Sequence, residues 1–230
     1  MSDWPKAVIF DFDGVIVNSE PLHFRAFQEV LLHNGISISE SEYYLELIGF
    51  DDKGAFKHIF KKHNRELDLQ TYEKVLVDKS QTTMKLIRQA DYSALPGAEQ
   101  FIRAMHRKCP LAICSGALRP EIEAMLVGIG LRDCFAIIVA AEDVAIGKPD
   151  PSGYLLTTKL LSEKTNTPLQ PEDCLIIEDA PTVIANVRPI GFKVIGVATS
   201  YPLDKLAHAN YAVPSLEASV IRSAIPGLLD

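Results

Sequence analysis

The chain has 230 residues, of which 47% are hydrophobic and 23% charged, and a formal net charge of −7. This composition excludes a disordered chain, which combines low hydrophobicity with high net charge, and it allows one good core or a core with a smaller satellite. The acidic balance, with no basic stripe, argues against nucleic acid as a partner, though not against a small phosphate ester, because a bound cation reverses the local field.

Met1 to Lys6 contains no apolar stretch, so no signal peptide is expected. No apolar run approaches the roughly 20 residues of a bilayer span, and a cytoplasmic protein without a membrane partner is expected. Lys6–Phe10 reads as a short strand buried on both faces, and it ends on Asp11, Asp13 and Gly14. The next strand lies about a hundred residues further on, much more than a crossover needs. The intervening stretch, 17–89, reads as helical. Ser19 is the expected cap of a helix over Glu20–His33 that stops at Gly35. Ser39 and Glu42 form a capping-box pattern, and two further helices are predicted over Lys53–His63 and Leu69–Gln89.

From there strands and helices alternate. Ala98–Arg107 is a predicted helix, Leu111–Cys114 a strand, Pro120–Ile129 a helix closed by Gly130, and Ala136–Val139 a strand. Asp150 and Pro151 read as N-cap and first residue of a helix to about Lys164, followed by strands at Cys174–Ile177 and Lys193–Val197. Alternation of this kind predicts a parallel sheet with right-handed crossovers. The expected architecture is α/β: a Rossmann-like parallel-sheet core of residues 1–16 and 90–230, with a helical cap domain of residues 17–89 inserted after the first strand. The four cysteines show no CxxC spacing and read as reduced packing residues.

Ligands of open parallel sheets bind beyond the carboxyl ends of the strands, and four predicted strands end on polar residues. They lead to Asp11 and Asp13, to Ser115 and Gly116, to the loop Gly147-Lys148-Pro149-Asp150-Pro151, and to Glu178 and Asp179. Taken singly, each is ordinary: Asp-Gly and Ser-Gly are turn residues, Lys148 a solvated lysine, Glu178-Asp179 a helix cap. Together they offer the several carboxylates that suit magnesium, and a lysine and hydroxyl able to take a phosphoryl group.

These residues resemble the four motifs of the haloacid dehalogenase (HAD) superfamily: Asp11-Phe12-Asp13-Gly14-Val15, Ser115, Lys148 in Gly-Lys-Pro-Asp-Pro, and Glu178-Asp179. The likeness runs over nearly the whole chain. Its nearest branch is the helical-cap subgroup that includes β-phosphoglucomutase and phosphoglycolate phosphatase. The resemblance implies a Mg²⁺-dependent phosphomonoester hydrolase acting on a small phosphorylated metabolite through an aspartyl-phosphate. Asp11 would be the nucleophile, and Asp13 the general acid and then base. Asp11, the Asp13 backbone carbonyl and Asp179 would hold Mg²⁺, with Glu178 in support, and Ser115, Gly116 and Lys148 would bind the phosphoryl group. His23 matches a cap histidine, and Gly49 and Phe50 stand at the place of a specificity loop. The alternatives are a sugar-phosphate mutase and a non-catalytic scaffold that binds phosphate ligands. A monomer is the default expectation.

The likeness departs after the acidic pair. Ala180 stands where the family has a serine, Val183 where a small residue is usual, and Pro189 where the helix would continue, so a shifted or shortened helix is expected there.

Overall fold

The computed structural model describes residues 4–47, 52–89 and 92–230. The expected specificity-loop residues Gly49 and Phe50 lie outside them. The described chain forms two compact units, one of residues 1–18 and 93–230 and one of residues 19–92. Val17 and Asn18 belong with the first unit because Val17 bridges both Asp13 and Ala94, and the Asn18 N–H donates to the Ser93 carbonyl.

The first unit is built on a parallel sheet of β1 (Ala7–Phe10), β2 (Leu111–Cys114), β3 (Phe135–Val139), β4 (Cys174–Glu178), β5 (Lys193–Val197) and β6 (Tyr211–Val213). The spatial order is β3-β2-β1-β4-β5-β6. β1, β2 and β4 are buried at every position, which is why Ala7–Phe10, Leu111–Cys114 and the first four residues of β4 are unbroken apolar runs rather than alternating ones. Phe10 anchors the central strand with edge-on contacts to Phe101 and Phe135, ring centroids 5.9 and 5.7 Å away; burying a ring this way contributes about 2 kcal/mol.

From β1 the chain builds one half of the sheet through β2 and β3, then returns past β1 to build the other half through β4, β5 and β6. The order therefore reverses between β1 and β4, and an open sheet leaves a crevice at that point, beyond the strand carboxyl ends.

The helices of the second unit are α1 (Glu20–His33), α2 (Glu40–Glu46), α3 (Asp52–Lys62) and α4 (Leu69–Arg88). They close a core around Phe27, Leu31, Tyr43, Phe56 and Ile59. The helices of the sheet unit are α5 (Ala98–His106), α6 (Arg119–Gly128), α7 (Ser152–Thr165), α8 (Pro181–Val187) and α9 (Ala218–Ala224). Among the described residues, no helix is long and apolar enough to cross a membrane. No cysteine is in a disulfide; Cys114, Cys134 and Cys174 are buried and Cys109 is half-buried.

Some local expectations change. Ser19 does not cap α1 with its side chain: its backbone is in the helical region and the residue is wholly buried. Ser39 does cap α2, its hydroxyl accepting from the Glu42 N–H at 3.1 Å. Asp150 accepts from the Ser152 N–H at 2.9 Å, but regular helix begins at Ser152, so Pro151 rather than Asp150 stands at the N-cap of α7. β6 and α9 were not anticipated. Beyond Asp179 the helix is short: α8 stops at Val187 and a 3₁₀ turn, Arg188–Ile190, carries Pro189. Pro189 has no N–H for a further helical bond.

Candidate active site

Three carboxylates meet at the β1–β4 switch point. One oxygen each from Asp11, Glu178 and Asp179 lies within 4.8 Å of the others, and all three residues are buried. Asp11 extends the ladder one step past β1, its N–H donating to the Ile177 carbonyl at 2.9 Å. Glu178 is the last residue of β4 and is fully buried. Its Oε1 accepts from the N–H groups of Asp179 (3.2 Å) and Ala180 (3.0 Å), which holds it against the start of α8. Glu178 Oε1 thus binds the turn that leads into α8, while Oε2 faces Lys148.

Lys148 is the counter-charge. Its Nζ donates to Asp11 Oδ1 at 2.6 Å, Glu178 Oε2 at 2.9 Å and the Tyr154 hydroxyl at 3.0 Å. Tyr154, fully buried on α7, donates in turn to Glu178 Oε2 at 2.6 Å. The loop that carries Lys148 is tied to α8, because Asn186 Nδ2 donates to the Pro149 carbonyl at 3.0 Å.

Asp13 and Gly14 form the turn after β1. Asp13 is half-buried. Gly14 has a φ of +75°. A β-carbon there would collide with the Asp179 carboxylate and sit 2.8 Å from Ser200 Oγ, so only glycine lets the turn approach so closely. Ser200 Oγ donates to Asp179 Oδ2, and Thr199 Oγ1 to the Gly14 carbonyl. Ser115 follows directly on β2, the strand beside β1. It is buried, its N–H donates to the Val139 carbonyl at 2.9 Å, and its hydroxyl accepts from the Ala117 N–H at 3.0 Å. Around Gly116 the position of a β-carbon is open space.

His23 lies in the helical unit, on α1. Its Nδ1 faces the ammonium of buried Lys79 on α4 at 3.1 Å, and Lys79 also pairs with Asp52 at 2.9 Å. Burial and the Lys79 charge push the His23 pKa down to about 3. The ring is thus neutral at ordinary pH, accepts at Nδ1 and carries its proton on Nε2.

The charge balance of the cluster is negative, with one ammonium against three carboxylates. Burial, then the charge of Glu178, raises the Asp11 carboxyl well above its ordinary range, although Lys148 pulls the other way. Burial and Glu178 likewise lift Asp179 to about 7. Burial opposes the charge on Lys148, but Asp11 and Glu178 outweigh it and hold its pKa well above the usual value. Glu178 stays ionised: burial resists this, but Lys148 and the Tyr154 hydroxyl prevail. This donor set suits a hard divalent cation, which takes oxygen ligands and relieves repulsion among close carboxylates.

The raised Asp179 pKa has a sign for stability. Between its ordinary 3.8 and about 7 the folded state holds a proton that the unfolded chain has lost. The stability Asp179 lends is complete below the lower value and lost as pH rises through the upper one. Asp179→Asn, which keeps the shape without the titration, is therefore expected to lose less stability than the parent between pH 4 and 7. Urea unfolding in EDTA measures this, and parallel parent and variant curves would contradict it.

Tyr154 and Lys79 had no place in the sequence reading, and Thr199-Ser200, part of the family likeness after the strand Lys193–Val197, had no role assigned there. Tyr154 reads as one more apolar position of an amphipathic helix. Lys79 left a trace: it interrupts the buried face of α4 between Val75 and Thr83.

Residues 5–185 match the family of haloacid dehalogenase-like hydrolases. The chain is 29% identical over 236 residues to the protein CbbY of Rhodobacter capsulatus, covering 97% of this chain and 98% of that protein. It is 28% identical over 190 residues to the fructose-1-phosphate phosphatase YqaB of Escherichia coli, covering 83% and 95%. Among solved structures, CbbY of Rhodobacter sphaeroides in complex with phosphate superposes with a TM-score of 0.78 at 23% identity, over 93% of this chain and 95% of that one.

Proposed function

The chain belongs to the haloacid dehalogenase-like hydrolase family, and from that premise we propose that it is a divalent-metal-dependent phosphomonoester hydrolase of small, sugar-sized metabolites. The observation that carries this reading is the cluster of Asp11, Glu178 and Asp179 within 4.8 Å, bound to the Lys148 ammonium at the sheet's switch point. The E. coli relative, named a fructose-1-phosphate phosphatase, supports the substrate class.

In this reading Asp11 attacks phosphorus, the phosphorus–oxygen ester bond breaks, and Asp13 gives a proton to the departing oxygen. Asp13 then takes a proton from a water that attacks the aspartyl-phosphate, which releases inorganic phosphate and restores both carboxyl groups. A carboxylate is a modest nucleophile, but it suffices because phosphoryl transfer rests mainly on positioning and charge stabilisation. Lys148, the Ser115 hydroxyl and the N–H of Gly116 hold the phosphoryl oxygens. Asp11, the Asp13 carbonyl and Asp179 are the residues to hold Mg²⁺, with Glu178 behind them; the bound ion would offset the carboxylate charge and that of the transferring group. His23 and the stretch with Gly49 and Phe50 are the residues proposed to decide which ester is accepted. The protein works as a monomer in the cytoplasm.

The test is phosphate release from a panel of sugar phosphates, with Mg²⁺ and then with EDTA. Release that depends on Mg²⁺ and favours one ester is expected. A product that is an isomeric phosphate ester without free phosphate would point to a mutase instead, and no turnover of any ester would overturn the enzymatic reading.

A further inference from the structure

We propose that Ser200, on the loop after β5, is a positioning residue that holds Asp179 in place for the divalent cation. The inference rests on the metal-dependent reading above and deepens it.

Lys148 is not what holds Asp179. Lys148 spends its donors on Asp11, Glu178 and Tyr154. The side chain of the next residue, Ala180, is a methyl group with no hydroxyl to donate, and its N–H goes to Glu178 Oε1. The hydroxyl that reaches Asp179 comes from Ser200, 21 residues on, and binds Oδ2. The same loop grips the other side of the site, where Thr199 Oγ1 donates to the Gly14 carbonyl within the turn that carries Asp13. The Thr199–Ser200 pair is thus a strap joining the turn after β1 to the residue after β4.

The strap is itself held. The Ala198 N–H donates to the Val213 carbonyl at 2.8 Å, and the Thr199 N–H to the Val197 carbonyl at 2.9 Å, so β6 anchors the segment at its root. Gly14 makes the geometry possible, since a side chain there would occupy the space between the Asp179 carboxylate and Ser200 Oγ. A carboxylate that must present a defined oxygen to a cation gains from a fixed hydrogen-bond donor, and removing such a partner typically weakens metal binding about 10- to 100-fold.

The test compares parent, Ser200→Ala and Ser200→Thr by calorimetric titration with Mg²⁺ in the absence of substrate, alongside melting in EDTA. Ser200 is solvent-exposed, so the substitutions leave no cavity. The inference expects Mg²⁺ affinity about tenfold weaker in Ser200→Ala, close to parental in Ser200→Thr, and melting in EDTA the same in all three. Parental affinity in Ser200→Ala, or equal losses in both variants, would overturn it. A parent that turns over sugar phosphates while Ser200→Ala keeps its affinity refutes the strap alone. A parent that binds no Mg²⁺ refutes the metal site and the strap with it.

Discussion

If Asp11 is the nucleophile, as proposed, Asp11→Asn is expected to lower phosphate-ester turnover by at least about a thousandfold, because the substitution would remove the attacking charge along with a covalent step. The amide has nearly the same shape and its oxygen still accepts from Lys148 Nζ, now 2.6 Å from Asp11 Oδ1. The fold should therefore survive. In EDTA at neutral pH the variant should be no less stable than the parent, since burial and Glu178 make an ionised Asp11 costly there. Loss of turnover with retained stability separates chemistry from folding. Phosphate release at saturating Mg²⁺, paired with a urea melt, reads both. A variant with even a tenth of parental turnover would remove Asp11 from the nucleophile's role.

Lys148→Met has the opposite signature and is expected to damage both. The side chain is 17% exposed and pairs with two buried carboxylates. Removing one member of a buried ion pair costs about 3–5 kcal/mol, because the partner charges stay behind without compensation. The carboxylates can escape by taking up protons. Without the ammonium the pKa values of Asp11 and Glu178 move up, the folded state binds more protons than the unfolded chain, and the variant loses stability as pH rises. The deficit should thus be smaller at pH 5 than at pH 8 when unfolding is followed in EDTA. An equal deficit at both would mean that Lys148 matters through packing against Tyr154 rather than through charge. Turnover should fall by about 10²–10³, the usual effect of losing one preorganised donor to developing charge.

Much of the core was legible because its signal is local. β1, β2, β4 and β5 are short apolar runs bounded by polar residues, and a strand buried on both faces leaves that mark wherever it sits. β6 left none: it is a three-residue edge strand whose Ala212 is exposed, and it exists through pairing with β5. Ser19 misled for a related reason. A serine before a helix usually caps it, but here tertiary burial sets its backbone, and the capping bond is not made. The shortened α8 was foreseeable, because proline has no N–H wherever it occurs.

What the amino-acid sequence determined unaided is the order of elements, the helical insertion after β1 and the identity of the polar residues at four strand ends: Asp11 and Asp13, Ser115, Lys148, and Glu178 with Asp179. Those follow from patterns a few residues long. Only the tertiary structure decided that β1 lies between β2 and β4, that Tyr154 braces Lys148 and Glu178, that Lys79 faces His23, and that Ser200 reaches Asp179 across a glycine. These are contacts between residues distant along the chain, and a side chain's reach of a few ångströms selects among partners only after strand pairing has brought them together.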